Sequence, residues 1–284
     1  MAMASMLYDV LNLVTIDAQI APYAASETEL LSKHLDKVKK GHLLLFHRGY
    51  PSFWLLFMLQ AKGIEFYVRL KKHWWLKVKE FSESDEKERI VSFTLPKKDR
   101  SKLAAYPHIQ DTAISCRLVK VELESGEIEI LCTSLTDAKC YTHEEFESLY
   151  HYRWNEEEAY KLLKSRIELE DFSCKTARGI KQDFHAKMFL MTLCAVYAHP
   201  IEERVRAEYK SDENRKYDQK INRTNAMSMT LDVIIPIFVR KQYKKALKAF
   251  DEIVSGTREI VRPDRVVPRK KRPKKLYSMN YKRL

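Results

Sequence analysis

The sequence of 284 residues contains no run of about 20 apolar residues, the length a membrane-spanning helix requires. A stretch such as Phe53 to Leu59 is far too short. The N-terminus has neither a charged leader nor a cleavage site, so no signal peptide is expected. Cysteine is scarce: Cys116, Cys132, Cys140, Cys174 and Cys194 are odd in number and form no close ligand pairs. This argues against a disulfide framework or a zinc site and predicts reduced thiols in a cytosolic protein. Internal repeats are also missing.

What is present suits a soluble globular chain, 45% hydrophobic and 32% charged, long enough for one elaborated domain or two smaller ones. The net charge of +12 points to an anionic partner. Its distribution is uneven. From Arg262 to Leu284 ten Lys/Arg stand against one acid, Asp264, so this segment supplies +9 of the +12. Its three prolines preclude a regular helix and predict an extended, flexible arm, residues 257–284, whose Lys270, Lys271 and Arg272 suit phosphates. A merely solubilising tail would have the same composition. The globular part is only mildly basic.

Patterning predicts two strands between Met6 and Ile20, then a helix from the N-cap Ser26, with Glu29 completing a capping box, to about Lys39. A short buried strand spans His42–Phe46, a helix Ser52–Lys62 and a strand Ile64–Leu70. This alternation argues for an α/β layer. Strands at Val91–Leu95, Ser115–Glu124 and Glu127–Leu135 make 76–140 a β-rich insertion. Helices follow at Thr142 to about Glu168, Ala177 to about Ala198, and Ala226 to about Ser255 with a break at Pro236; a charged loop fills about 201–220.

The most informative segment runs from Leu149 to Lys164. On a helix of about 100° per residue, Tyr150, Arg153, Glu157 and Lys164 fall within an arc of about 60°. One carboxylate flanked by two cations and a phenol suits metal-assisted chemistry on a phosphodiester. The same spacing also suits a solvated helix laced with charge pairs.

Tyr150-x2-Arg153-x3-Glu157-x6-Lys164 resembles the signature helix of DDE transposases of the insertion-sequence-4 group. Upstream, Phe46-His47-Arg48-Gly49-Tyr50-Pro51-Ser52 resembles the same family's strand-end motif, whose usual form is Asp-Arg-Gly-Tyr-Pro-Ser. The resemblance covers the chain from about Leu7 onward. It implies a ribonuclease H-like mixed sheet flanked by helices, with a partial core in 1–75, a β-rich insertion between the second and third acidic positions, and C-terminal core helices in 141–256. It also implies metal-dependent cleavage and joining of double-stranded DNA at element ends, with two Mg²⁺ ions held by three carboxylates.

Residue by residue, the resemblance makes Glu157 the third acid and metal ligand and places His47 at the second catalytic position. Imidazole is neutral and a poor Mg²⁺ ligand, so strand transfer is expected to be lost or nearly so. The first acid belongs on a central strand that would precede Met1. Asp17 and Asp9 are the nearest substitutes, but the Ser26 helix follows them directly. Tyr150, Arg153, Lys164 and Arg48 match residues that grip DNA. Trp154 could stack on or insert near an unpaired base, but beside a helix signature it is expected in the core. Trp74 and Trp75 among Lys71, Lys72, His73 and Lys77 form a basic-aromatic cluster, either packed or facing DNA. The expected partners are DNA, a second copy or a full-length transposase; the expected place is the cytoplasm, at the nucleoid. Neither a membrane nor a small-molecule substrate is expected. A decayed transposase fragment that only binds DNA or a full-length relative is the alternative.

Overall fold

The computed structural model describes residues 2–123 and 126–262. They form two compact units, and the chain passes from one to the other after Ser5, after Ile20 and after Glu156. Strands β1 (Ala2–Asp9) and β2 (Val14–Pro22) pair as a two-stranded sheet. Its turn is built by Asp9, whose Oδ1 accepts the amides of Leu11 and Asn12, both at 3.0 Å. Helix α1 (Glu27–His34) opens where the Ser26 hydroxyl accepts the Glu29 amide at 3.1 Å. It ends sooner than the periodicity suggests, in a 3-10 turn at Leu35–Lys37, ahead of Gly41 with φ +83°.

The first unit is organised by a five-stranded mixed sheet. Strand β3 (Leu43–Phe46), helix α2 (Phe53–Ala61) and strand β4 (Glu65–Leu70) make a parallel β-α-β step, as the alternation predicts. Helix α3 (Leu76–Glu83) and strands β5 (Glu88–Thr94), β6 (Ala113–Glu122) and β7 (Ile128–Thr133) follow. The order is β3-β4-β7-β6-β5, antiparallel beyond β4. The strands of 76–140 therefore extend the sheet begun by β3 and β4. Helix α3 within that segment is not evident from the sequence.

Alternation along the strands gives the sheet two covered faces. Phe66, Val68, Leu118, Ile130 and Cys132 point to one, against Leu55, Leu56 and Leu59 of α2 and Val78 and Phe81 of α3. Tyr67, Val119, Val121 and Leu131 point to the other, under Phe146 and Tyr150 of α4 (His143–His151). A reciprocal capping box between Thr142 and Glu145 starts α4. The architecture is α/β, a mixed sheet flanked by helices.

The second unit is mainly helical. Helix α5 (Trp154–Ser165) leads to α6 (Ala177–Glu208), and the pair β8 (Gln219–Ile221) and β9 (Arg258–Ile260) closes around α7 (Arg223–Phe238) and α8 (Tyr243–Gly256). Leu163, Phe184, Met191, Ile201, Val205, Ile221, Phe250 and Val254 form its core. Two corrections to the sequence reading arise here. Helix α6 runs through Pro200 to Glu208, replacing the start of the expected loop; Pro200 lies on the exposed side, where water can satisfy the carbonyl it leaves free. The break in the last helical region falls after Phe238, two residues beyond Pro236.

The buried Lys187 secures the turn after α5. Its Nζ donates to the carbonyls of Glu168 at 2.9 Å and Asp171 at 2.6 Å, and it pairs with Asp183 at 3.3 Å. It holds a backbone in which Glu168 takes φ +54°, unusual for a residue with a Cβ.

Candidate functional site

The helix expected from Thr142 to Glu168 is broken. Between α4 and α5 the amides of Tyr152, Arg153, Asn155 and Glu156 each bond to the carbonyl three residues back, so the chain tightens into a 3-10 turn. The four signature residues therefore do not lie on one continuous helix. Tyr150 lies in the last turn of α4 and Arg153 in the turn that follows, both in the first unit, while Glu157 and Lys164 lie on α5 in the second.

Tyr150 is a core residue, 6% exposed, with its ring edge-on to Tyr67 at 5.5 Å. Burial pushes its hydroxyl up to about 12. Tyr67, on the covered face of β4, donates its own hydroxyl to the Phe146 carbonyl at 2.9 Å, which fixes α4 on the sheet. Arg153 is buried too, with its guanidinium over the rings of Tyr150 at 5.4 Å and Trp154 at 4.9 Å. Trp154 is 48% exposed, contrary to the core position expected for it. Glu157 is half-buried, and the exposed Lys164 pairs with Glu170 at 2.9 Å.

His47 follows the last residue of β3. Register brings Phe46 level with Val68, so His47 comes level with Arg69 at the carboxyl ends of two parallel strands, where open α/β sheets place ligands. The His47 Nδ1 accepts the Gly49 amide at 2.9 Å, and its Nε2 lies 3.8 Å from the Glu27 carboxylate at the start of α1. Only glycine fits at 49: a Cβ there would lie 2.5 Å from the His47 Cε1. Tyr50 packs on the imidazole at 4.7 Å, and burial, reinforced by Glu27 and Glu156, pushes its hydroxyl up to about 12.

A second group at these strand ends has no signature in the sequence. Arg69 spans Glu129 at 2.5 Å and Glu127 at 3.2 Å. Glu129 is 6% exposed, and burial pushes its carboxyl above the ordinary value against the pull of Arg69, Arg153 and Arg48. Arg48 itself is exposed. Period-2 alternation in Glu127-Ile128-Glu129-Ile130 could have suggested that one glutamate faces inward, but not which arginine meets it.

The basic-aromatic cluster divides. Trp75 packs on Phe53 at 4.2 Å and on Phe93, while Trp74 is 40% exposed with Lys71 over its ring at 5.1 Å. Lys270, Lys271 and Arg272 lie outside the described residues. Of the first-acid substitutes, Asp9 serves its turn and Asp17 accepts from Gln19 at 2.9 Å. No described helix is long and apolar enough to cross a membrane.

The chain belongs to the transposase DDE domain family, whose pattern it matches over residues 2–194. No curated protein matches the sequence. Among solved structures it is similar to the piggyBac transposase, determined by cryo-EM as a synaptic complex with hairpin DNA. Identity is 9% and the TM-score 0.49, over 88% of this chain and 50% of that one. The chain thus spans about half the length of that transposase.

Transposase DDE domains generally use divalent metal ions. The Gly49 N–H occupies the Nδ1 of His47, and the Nε2 faces the Glu27 carboxylate. Among the described residues, no group of three or more His, Cys, Asp or Glu is arranged to hold a metal.

Proposed function

We propose that this chain is a transposase of the insertion-sequence-4 group in descent and a DNA-binding protein in present activity. Cleavage and joining of DNA at element ends is the reaction its family resemblance implies. The observation that carries the reading is the seat of His47: an imidazole, bonded to Gly49 and facing Glu27, where the resemblance expects a metal-bridging aspartate. Glu157 remains at the third acidic position. With an imidazole at the second acidic position, Mg²⁺ binding is impaired and the chain alone does not transfer strands.

The cationic side chains still suit double-stranded DNA. Arg48 and Lys164 are exposed and suit phosphate oxygens, as do Lys270, Lys271 and Arg272. Tyr150 serves by seating Arg153 rather than by touching DNA, since its ring is buried. A full-length transposase, or a second copy, is the partner with which such a chain would assemble, in the cytoplasm at the nucleoid. Fluorescence anisotropy with element-end duplexes tests the binding. Salt-dependent association is expected, weakened when Lys270, Lys271 and Arg272 are replaced by alanine; no association at low salt would refute it.

A further inference from the structure

Arg69 is the side chain at the strand ends whose role the family pattern leaves open here. It follows Tyr67 on the α4-covered face of β4, 24% exposed, and divides its guanidinium between two carboxylates of unequal character. Glu129, on Nη1 at 2.5 Å, has a side chain 7% exposed. Glu127, on Nη2 at 3.2 Å, is 60% exposed. Removing Glu129 from Arg69 would leave a carboxylate buried without its closest partner, which is costly. Removing Glu127 costs little, because exposed pairs contribute little and water takes over the released carboxylate.

The surroundings favour an anion. Arg48 and Arg153 also pull the Glu129 carboxyl down, so the field at Glu129 includes two further cations. A phosphodiester oxygen taking Nη2 in place of Glu127 would meet a charge-assisted donor already oriented by Glu129. We infer that Glu127 is a displaceable internal counter-ion that competes with a DNA backbone phosphate for Arg69, while Glu129 stays in place and aims the guanidinium. This rests on the DNA-binding reading above. It adds a built-in restraint on affinity: the chain masks its own phosphate donor, and DNA must displace that mask.

The test compares duplex DNA binding of the full chain with that of Glu127→Gln, Arg69→Ala and a control, Glu80→Gln, on the exposed face of α3. Glu127→Gln is expected to tighten binding about two- to five-fold, the worth of one exposed pair. Glu80→Gln, with the same charge change, is expected to shift it less. Arg69→Ala should flatten the slope of log affinity against log salt by about one. In the double variant Glu127→Gln/Arg69→Ala the gain should vanish, because no donor remains to be unmasked. Equal gains from Glu127→Gln and Glu80→Gln, or a gain that survives in the double variant, would overturn the inference and leave DNA binding standing. Failure of every form to bind at low salt would overturn both. Thermal unfolding of each variant verifies the fold; if Arg69→Ala does not fold, Arg69→Lys, which keeps the charge and loses the fork, is expected to lose most of the gain, and retaining it in full would count against the inference.

Discussion

His47 faces Glu27 across 3.8 Å while its other ring nitrogen takes the Gly49 amide at 2.9 Å. At the end of β3, where the motif resemblance leads one to expect a carboxylate, an imidazole is held by its own loop. This arrangement predicts a definite tautomer. Long-range nitrogen–proton NMR near neutral pH should show the neutral ring protonated on Nε2. Gly49→Ala should displace the ring, remove that signature and cost about 1–3 kcal/mol, as overpacking does.

Arg69 and Glu129 yield a stability prediction. Arg69→Ala leaves a carboxylate deeply buried without its nearest cation, so a loss of about 3 kcal/mol is expected near neutral pH. The sign of its pH dependence follows from burial. Glu129 is raised above its ordinary 4.5 in the fold, so its contribution is most favourable below 4.5 and is lost as pH rises through the raised value. Without Arg69 the rise is larger. The deficit of the variant should therefore shrink on acidification toward pH 4, measured by urea unfolding.

Tyrosine titration reports the packing at the same place. Tyr50 and Tyr150 are raised to about 12, and Tyr67 is raised further by deeper burial. Difference absorbance should show them still protonated at pH 11, when exposed tyrosines have ionised. Because folding favours their neutral forms, their contribution holds below pH 10 and is lost as pH rises toward and beyond 12. Tyr150→Phe should remove one late-titrating group and change stability by less than about 1.5 kcal/mol, since the ring packing survives.

Lys187 supplies a prediction for the second unit. Lys187→Met removes two hydrogen bonds to the Glu168 and Asp171 carbonyls and leaves Asp183 without this cation. A cost of about 2–3 kcal/mol is expected, with faster hydrogen exchange in residues 166–173.

Much of this fold was legible locally. Ser26 caps α1, Gly63 with φ +64° separates α2 from β4, and the Leu43–Phe46 run forms a parallel strand. These features depend on near neighbours in sequence. The turn at Tyr152–Arg153 was not legible, because no glycine or proline marks it. Its visible partners are distant in sequence: Tyr150 meets Tyr67 on the sheet, and Arg153 acts on Glu129 of β7. A 3.6-residue period assumes a regular helix, and one 3-10 turn interrupts it. Pairing of β8 with β9, about 40 residues apart, is likewise set by the helices between them. At the site, the motif spacing singled out Glu157 and His47, but not the Arg69 fork or Glu27, whose contacts join residues distant in sequence.

The central claim is that this chain retains a transposase's framework and DNA contacts but not its strand chemistry. The most direct test is a cleavage assay on element-end duplex DNA with Mg²⁺ and with Mn²⁺, using the chain as it stands and His47→Asp. Binding without cleavage by the unmodified chain, with either ion, is the predicted result. Specific nicking or strand transfer by the unmodified chain would contradict it.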